Sequence, residues 1–156
     1  SLGDSNNSLS QTAASAYSRC VQVQATMELP AEHYVISNGQ VKDNYTGLTW
    51  QQDGSGLTPA HTHAQARAYC ASLTLNGATW RLPALNELAS IVDDVPSGDV
   101  SPAVDHTAFP NTSPDQEYWS ESGYGSPTTD YWTLNFMDGF THHRDPSTLG
   151  NVRCVR

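Results

Sequence analysis

Residues 58–94 read TPAHTHAQARAYCASLTLNGATWRLPALNELASIVDD, and their apolar spacing sets the fold class. Thr58 is placed to cap a helix, and Pro59 suits its first position, where a missing N–H costs nothing. Ala66, Tyr69, Cys70 and Leu73 then recur at i, i+3, i+4 and i+7, one apolar stripe of a helix over 58–75. Cys70 therefore faces the core, and Asn76-Gly77 ends the helix. A second helix follows WRLP, with Pro83 in its first turn and Leu85, Leu88, Ala89 and Val92 in the same spacing. Asp93-Asp94 and then Pro96 stop it.

Strand signals flank this pair. Upstream, HYVISNGQVKD holds Asn38-Gly39 between two β-rich runs, a type I′ hairpin signal because both central residues accept positive φ. NYTGLTWQQ then turns at Gly47 and offers Leu48 and Trp50 to one face. Downstream, EYWSES and DYWTLNFMDGFTHHR read as strands, the second turning at Asp138-Gly139 with Trp132, Leu134 and Phe136 alternating onto one face. NVRCVR reads as a last strand in which Val152 and Cys154 share a face. Between helices and strands, residues 94–117 form a Pro-, Asp- and Ser-rich loop of the kind that carries function. A hairpin, two helices, a long loop and an antiparallel set of strands make an α+β class.

The 156 residues suit one domain with a hydrophobic core, over 31–156, preceded by a polar arm at 1–30. Within that arm YSRCVQVQATMEL, residues 17–29, suggests a short strand or helix tail. Only 15% of residues are charged, yet four Trp and seven Tyr supply surface to bury, which argues against disorder. Seven Lys and Arg stand against sixteen Asp and Glu, a net charge of −9. Such a surface repels nucleic acid and anionic membranes. No apolar run approaches the roughly 20 residues that span a bilayer, so no membrane insertion is expected. The opening SLGDSNNSLSQ reads as a trimmed or mature secreted chain. Cys20, Cys70 and Cys154 form no CxxC, and on their own they leave three connectivities open.

In order along the chain, VKDNYTGLTWQ, ARAYCASLTLNGATWRLPALNELASIVDD, VSPAVDHTAFPNTSPDQEYWSES, YWTLNFMDG and VRCVR resemble the C-terminal domain family of the Legionella collagen-like protein, Lcl, over about residues 34–156. That family is similar in fold to C-type lectin-like domains, with two helices, an antiparallel sheet, a long loop region and a disulfide from first helix to last strand. The resemblance pairs Cys70 with Cys154 and leaves Cys20 over. It also implies a secreted or cell-surface bacterial protein and an adhesin-like role; the family's trimer is not carried over, and a homo-oligomer stands only among the partners considered. The family adhesin binds sulfated polysaccharide, which needs clustered Arg or Lys. Here Lys42 is the only lysine, and Arg144, Arg153 and Arg156 are the one candidate cluster.

Four site readings follow. C-type lectin-like domains bind calcium through loop carboxylates and amides, hard oxygen ligands that Asp99, Asp105, Asn135 and Asp138 supply. The plain alternative is a solvated acidic loop, and the Glu-Pro-Asn and Trp-Asn-Asp motifs of sugar-binding lectins are absent. His61 and His63, or His142 and His143, would need to converge with carboxylates to hold zinc. An aromatic platform could draw on Trp119, Tyr124, Tyr131, Trp132 and Phe140. Alternation buries Trp119 and Trp132 and leaves Tyr124, in a Gly-Tyr-Gly-Ser-Pro loop, as the exposed member. No Gly-x-Ser-x-Gly or His-Glu-x-x-His occurs, so no enzyme is expected.

These readings combine into an extracellular, non-catalytic recognition module for a glycan or protein. Its surface would come from the 94–117 and 123–129 loops, with Tyr124, Asp115, Glu117, Glu121, Arg144, Arg153 and Arg156 as ligand contacts. The alternative is a structural or assembly domain that joins subunits or sits at a fibre tip.

Overall fold

The computed structural model describes residues 32–55, 61–93 and 102–156. Strands β1 (Tyr34–Ser37), β2 (Gln40–Asp43) and β3 (Thr49–Gln51) form one antiparallel sheet in that order. Helix α1 (His63–Ser72), a 3₁₀ turn (Leu75–Gly77) and helix α2 (Leu85–Ala89) follow. Strands β4 (Glu117–Tyr124), β5 (Asp130–Asn135) and β6 (Thr141–Arg144) form a second antiparallel sheet. The architecture is the expected α+β, with two small sheets in place of one. No described helix is long and apolar enough to cross a membrane. The strand or helix tail read in 17–29, and Cys20 within it, lie outside the described residues.

Local chemistry explains most element ends. Asn38 (φ 49°) and Gly39 (φ 75°) make the expected primed turn between β1 and β2. Helix α1 starts at His63 with Thr62 as its cap, and Thr58 and Pro59 lie outside the described residues. Thr62 Oγ1 accepts from Gln65 N–H while Gln65 Oε1 accepts from Thr62 N–H at 2.9 Å. This reciprocal box satisfies two otherwise orphaned donors. The helix also stops earlier, at Ser72, and Asn76-Gly77 belongs to the separate 3₁₀ turn. Helix α2 is only five residues long. Pro83 precedes its first turn, and the buried position after Leu88 is Ile91, with Ala89 exposed. The last turn of the pattern unwinds because the chain pairs Asp93 N–H with Ala103 C=O and leaves the helix axis.

The core has two parts. Val41, Trp50, Leu88, Ile91, Val104, Phe109, Tyr118, Leu134, Phe136 and Val155 pack between the sheets and α2. Ala66, Cys70, Trp80, Leu82, Trp119, Val152 and Cys154 pack beneath α1. The segment after residue 101, expected to be a displayed loop, is largely a layer of the first part. Val104, Ala108 and Phe109 are buried, and Asp105 Oδ1 caps the turn that aims them inward by accepting from Thr107 and Ala108 N–H at 2.8 Å each. Residues 94–101 lie outside the described set.

The C-terminal segment is central, though it is not a regular strand. Its partners change along its length. Gly150 pairs with His61, Asn151 with β4, and Val155 with both Trp50 of β3 and Arg81. Alternation sends Val152 and Cys154 into one core and Val155 into the other. Cys154 is bridged to Cys70 of α1, with Cα atoms 5.5 Å apart. The pairing that the family resemblance implied is therefore present.

Candidate functional site

The site begins with a break in the β4–β5 ladder. Trp119 pairs with Thr133 and Gly123 with Tyr131, so the register shifts between them. A bulge frees its residues from the ladder and re-aims their side chains. Glu121 N–H donates instead to Pro83 C=O at 2.7 Å, and Ser122 Oγ accepts from Leu85 N–H at 3.0 Å. Glu121 is thereby placed beside α1, where its carboxylate pairs with Arg67 Nε at 3.1 Å. Together they edge a groove of about 540 Å³ whose apolar lining includes Trp80, Leu82 and two α1 alanines.

On the opposite rim Arg81 grips Glu87 through two 2.7 Å hydrogen bonds. Those bonds hold the Glu87 carboxyl below its ordinary range and raise the Arg81 pKa. Arg81 also donates to Leu82 C=O, and Glu87 accepts from Ala84 N–H. That rim is closed on itself.

Past the bulge lies an aromatic cluster. Tyr124 stacks on His143 with centroids 3.9 Å apart and planes within 8°. Trp132 stands edge-on to both, at 5.1 Å and 5.9 Å. His143 Nδ1 meets Asp130 Oδ2 at 2.7 Å. Tyr124 is exposed as expected. Trp132 is only half-buried, which corrects the reading from alternation. The bulge offsets the sheet there, so the period-two rule holds for Leu134 and Phe136 and fails for Trp132. Trp119 is fully buried, and Tyr131 covers His63.

The other expected contacts do not converge. Glu117 is half-buried, paired with Arg144 and hydrogen-bonded by Thr133 Oγ1 at 2.7 Å. Asp115 is exposed in the turn before β4. Arg156 donates to Gln40 Oε1 at 2.8 Å and lies over the Trp80 ring. Arg153 is a correction. It has no exposed surface, donates to Gln51 C=O, Gln52 C=O and Thr112 Oγ1, and lies 4.7 Å from the Phe109 ring centroid. Burial lowers its pKa, while Tyr118 and Asp53 act against that shift. Its chain neighbours Val152 and Cys154 both point into the core beneath α1, so Arg153 faces the other way, over Phe109 of the first core. The three arginines therefore form no surface cluster.

The calcium candidates are occupied otherwise. Asp105 caps its turn, Asn135 Oδ1 accepts from Met137 N–H, and Asp138 Oδ1 accepts from Phe140 N–H. Asp99 lies outside the described residues. Among the described residues no three His, Cys, Asp or Glu side chains gather closely enough to hold a metal ion. The histidine pairs do not meet in such a group. His63 is buried, stacked on Tyr131 at 3.5 Å, with Nε2 3.1 Å from Ser120 C=O.

Desolvation lowers the His63 pKa most; the Ser120 carbonyl and Glu121 raise it, and Arg67 lowers it further. The neutral ring is thus favoured in the fold, whereas the unfolded chain takes up a proton near pH 6.5. Stability contributed by His63 is present above that pH and declines as pH falls below it. In urea titrations at pH 7.5 and 5.5, wild type should lose more stability on acidification than His63→Gln. Equal losses would count against this account.

Sequence reading missed Arg67, Trp80 and Arg81 as groove residues and Asp130 as the partner of His143. Arg67 and Asp130 acquire their partners Glu121 and His143 only through the fold, and the local bonds of Trp80 to Leu75 and of Arg81 to Glu87 give no sign of the groove.

No curated protein matches the chain. The family model of the Lcl C-terminal domain matches residues 39–156, the hairpin turn through the last residue. The chain belongs to the Lcl C-terminal domain family.

Proposed function

We propose that this chain is an extracytoplasmic, non-catalytic recognition module of a bacterial surface or secreted protein, binding a glycan or protein ligand. The observation that supports it is the cluster of exposed Tyr124 and His143 with half-buried Trp132, beside the Asp130 carboxylate. Aromatic faces give large contact area at low entropic cost, and an adjoining carboxylate accepts hydroxyl hydrogen bonds. The C-type lectin-like relation belongs to this reading. It is supported by two helices, two antiparallel sheets and the disulfide from α1 to the C-terminal segment. That disulfide also suits an oxidising, extracytoplasmic compartment. Calcium dependence is part of the test.

Glycan-array binding with and without calcium, followed by Tyr124→Ala and Trp132→Ala, checks the proposal. Each variant should weaken binding roughly tenfold, about 1.4 kcal/mol, with an unchanged far-ultraviolet spectrum. A second reading, assembly, draws support from exposed Phe140 and Met137 on the β5–β6 turn and from exposed Val35 and Ile36 on edge strand β1. A stable oligomer by sedimentation, together with no binding on the array, would favour assembly and overturn recognition.

A further inference from the structure

The groove beneath α1 and the aromatic cluster are different surfaces, and the groove has its own chemistry. Its volume, about 540 Å³, is within the range of small-molecule sites, about 300–1,000 Å³. The two ion pairs on its rim are not alike. Arg81 and Glu87 are locked bidentate and also satisfy backbone groups. Arg67 and Glu121 touch at one point, 3.1 Å, and both are substantially exposed. Among the described residues neither side chain makes a hydrogen bond elsewhere. Terminal guanidinium N–H groups and a carboxylate oxygen thus remain available side by side. An exposed pair of this kind contributes little to stability, so a ligand can slot into it or part it at little cost.

The ligand that fits must offer an acceptor and a donor next to each other, with an apolar group alongside. A carboxylate ligand is opposed by Glu121 and an ammonium ligand by Arg67. A plain polyol leaves the Trp80–Leu82–alanine floor uncovered. An acetamido group has all three parts. Its C=O accepts from Arg67, its N–H donates to Glu121, and its methyl covers the floor.

We propose that this groove binds an N-acetylated amino-sugar residue through its acetamido group. The proposal goes beyond the recognition reading: it names a second surface and its ligand class, and it uses none of the residues of the aromatic cluster.

The test is ¹⁵N–¹H nuclear magnetic resonance titration with methyl N-acetyl-β-glucosaminide, methyl β-glucoside and N-methylacetamide. The N-acetylated sugar should give saturable shifts at Ala68, Ala71 and the Trp80 indole N–H, with millimolar dissociation. The other two probes should bind at least fivefold more weakly. Arg67→Ala and Glu121→Ala, both exposed positions, should each weaken binding fivefold or more, and Lys42→Ala, an exposed position outside the groove lining, should leave it unchanged. Equal response to the glucoside, equal response to N-methylacetamide, or full binding by both groove variants would overturn the proposal. Loss of binding on Tyr124→Ala would overturn it too, and would move the sugar to the aromatic cluster. Failure at the groove with retained Tyr124-dependent array binding leaves the recognition reading standing.

Discussion

Replacing Arg153 with methionine is expected to lower the unfolding free energy by about 3–5 kcal/mol, through the buried neutral acceptors it leaves without a donor. The side chain is fully buried and its Nη atoms donate to Gln51 C=O, Gln52 C=O and Thr112 Oγ1. Methionine keeps volume against Phe109 but strands those acceptors, and each unsatisfied buried group costs about 1–3 kcal/mol. Arg153→Lys should recover only part of the loss. One ammonium at the end of a single stem cannot reach acceptors on two sides as a planar fork does. Gly54 fits this arrangement. It sits at φ 60°, and a Cβ there would lie 2.9 Å from Val152 C=O, in the turn that Arg153 holds. Urea unfolding of the three proteins checks the prediction. A methionine variant within about 1 kcal/mol of wild type would show the acceptors finding other partners. Because Arg153 is buried, any effect of its replacement on ligand binding would run through stability.

Removing the Cys70–Cys154 bridge is the second large effect. The crosslink spans 84 residues of sequence, and for a loop of that length the chain-entropy model assigns about 4–5 kcal/mol. For a domain of this size that corresponds to a fall in Tm on the order of 10–15 °C. A double Cys70→Ser, Cys154→Ser variant, made in a Cys20→Ser background to prevent exchange, should show it by calorimetry. Dithiothreitol should lower the Tm of the Cys20→Ser parent by the same amount. Peptide mapping under non-reducing conditions must find Cys70 joined to Cys154. A Cys20 linkage to either partner would contradict the pairing. The effect is large because of what the last residues join. Trp50, Arg81 and β4 all pair with the 151–156 segment, and Gln51 Oε1 accepts from Cys154 N–H. Releasing the segment loosens both cores together.

The helices, the hairpins and the α+β class were legible because their signals are local. A 3.6-residue stripe marked Ala66 and Cys70, and Asn38-Gly39 marked its own turn. The family likeness, carried by an ordered series of motifs, added the disulfide. Boundaries were less legible. Thr62 caps α1 and with Gln65 satisfies two donors, a box the reading did not pick out, and α2 ends early where a long-range backbone pairing takes over.

The candidate site was legible at Tyr124, which stands exposed by its own loop chemistry, and at Glu121, though without its partner. Asp105, Asn135 and Asp138 looked like ligands and serve as turn caps, because short polar side chains bond to backbone two or three residues on before they reach anything distant. Arg153 looked like surface charge and is buried, because composition cannot tell an arginine facing water from one enclosed by carbonyls. The sequence by itself determined the period of each element and the turns between them. The tertiary structure alone decided which side chains meet. The β4 bulge turned Glu121 to Arg67 and set Tyr124 on His143, and a C-terminal segment that changes partners every few residues enclosed Arg153. Those meetings depend on where distant segments close upon one another, and no local pattern records that.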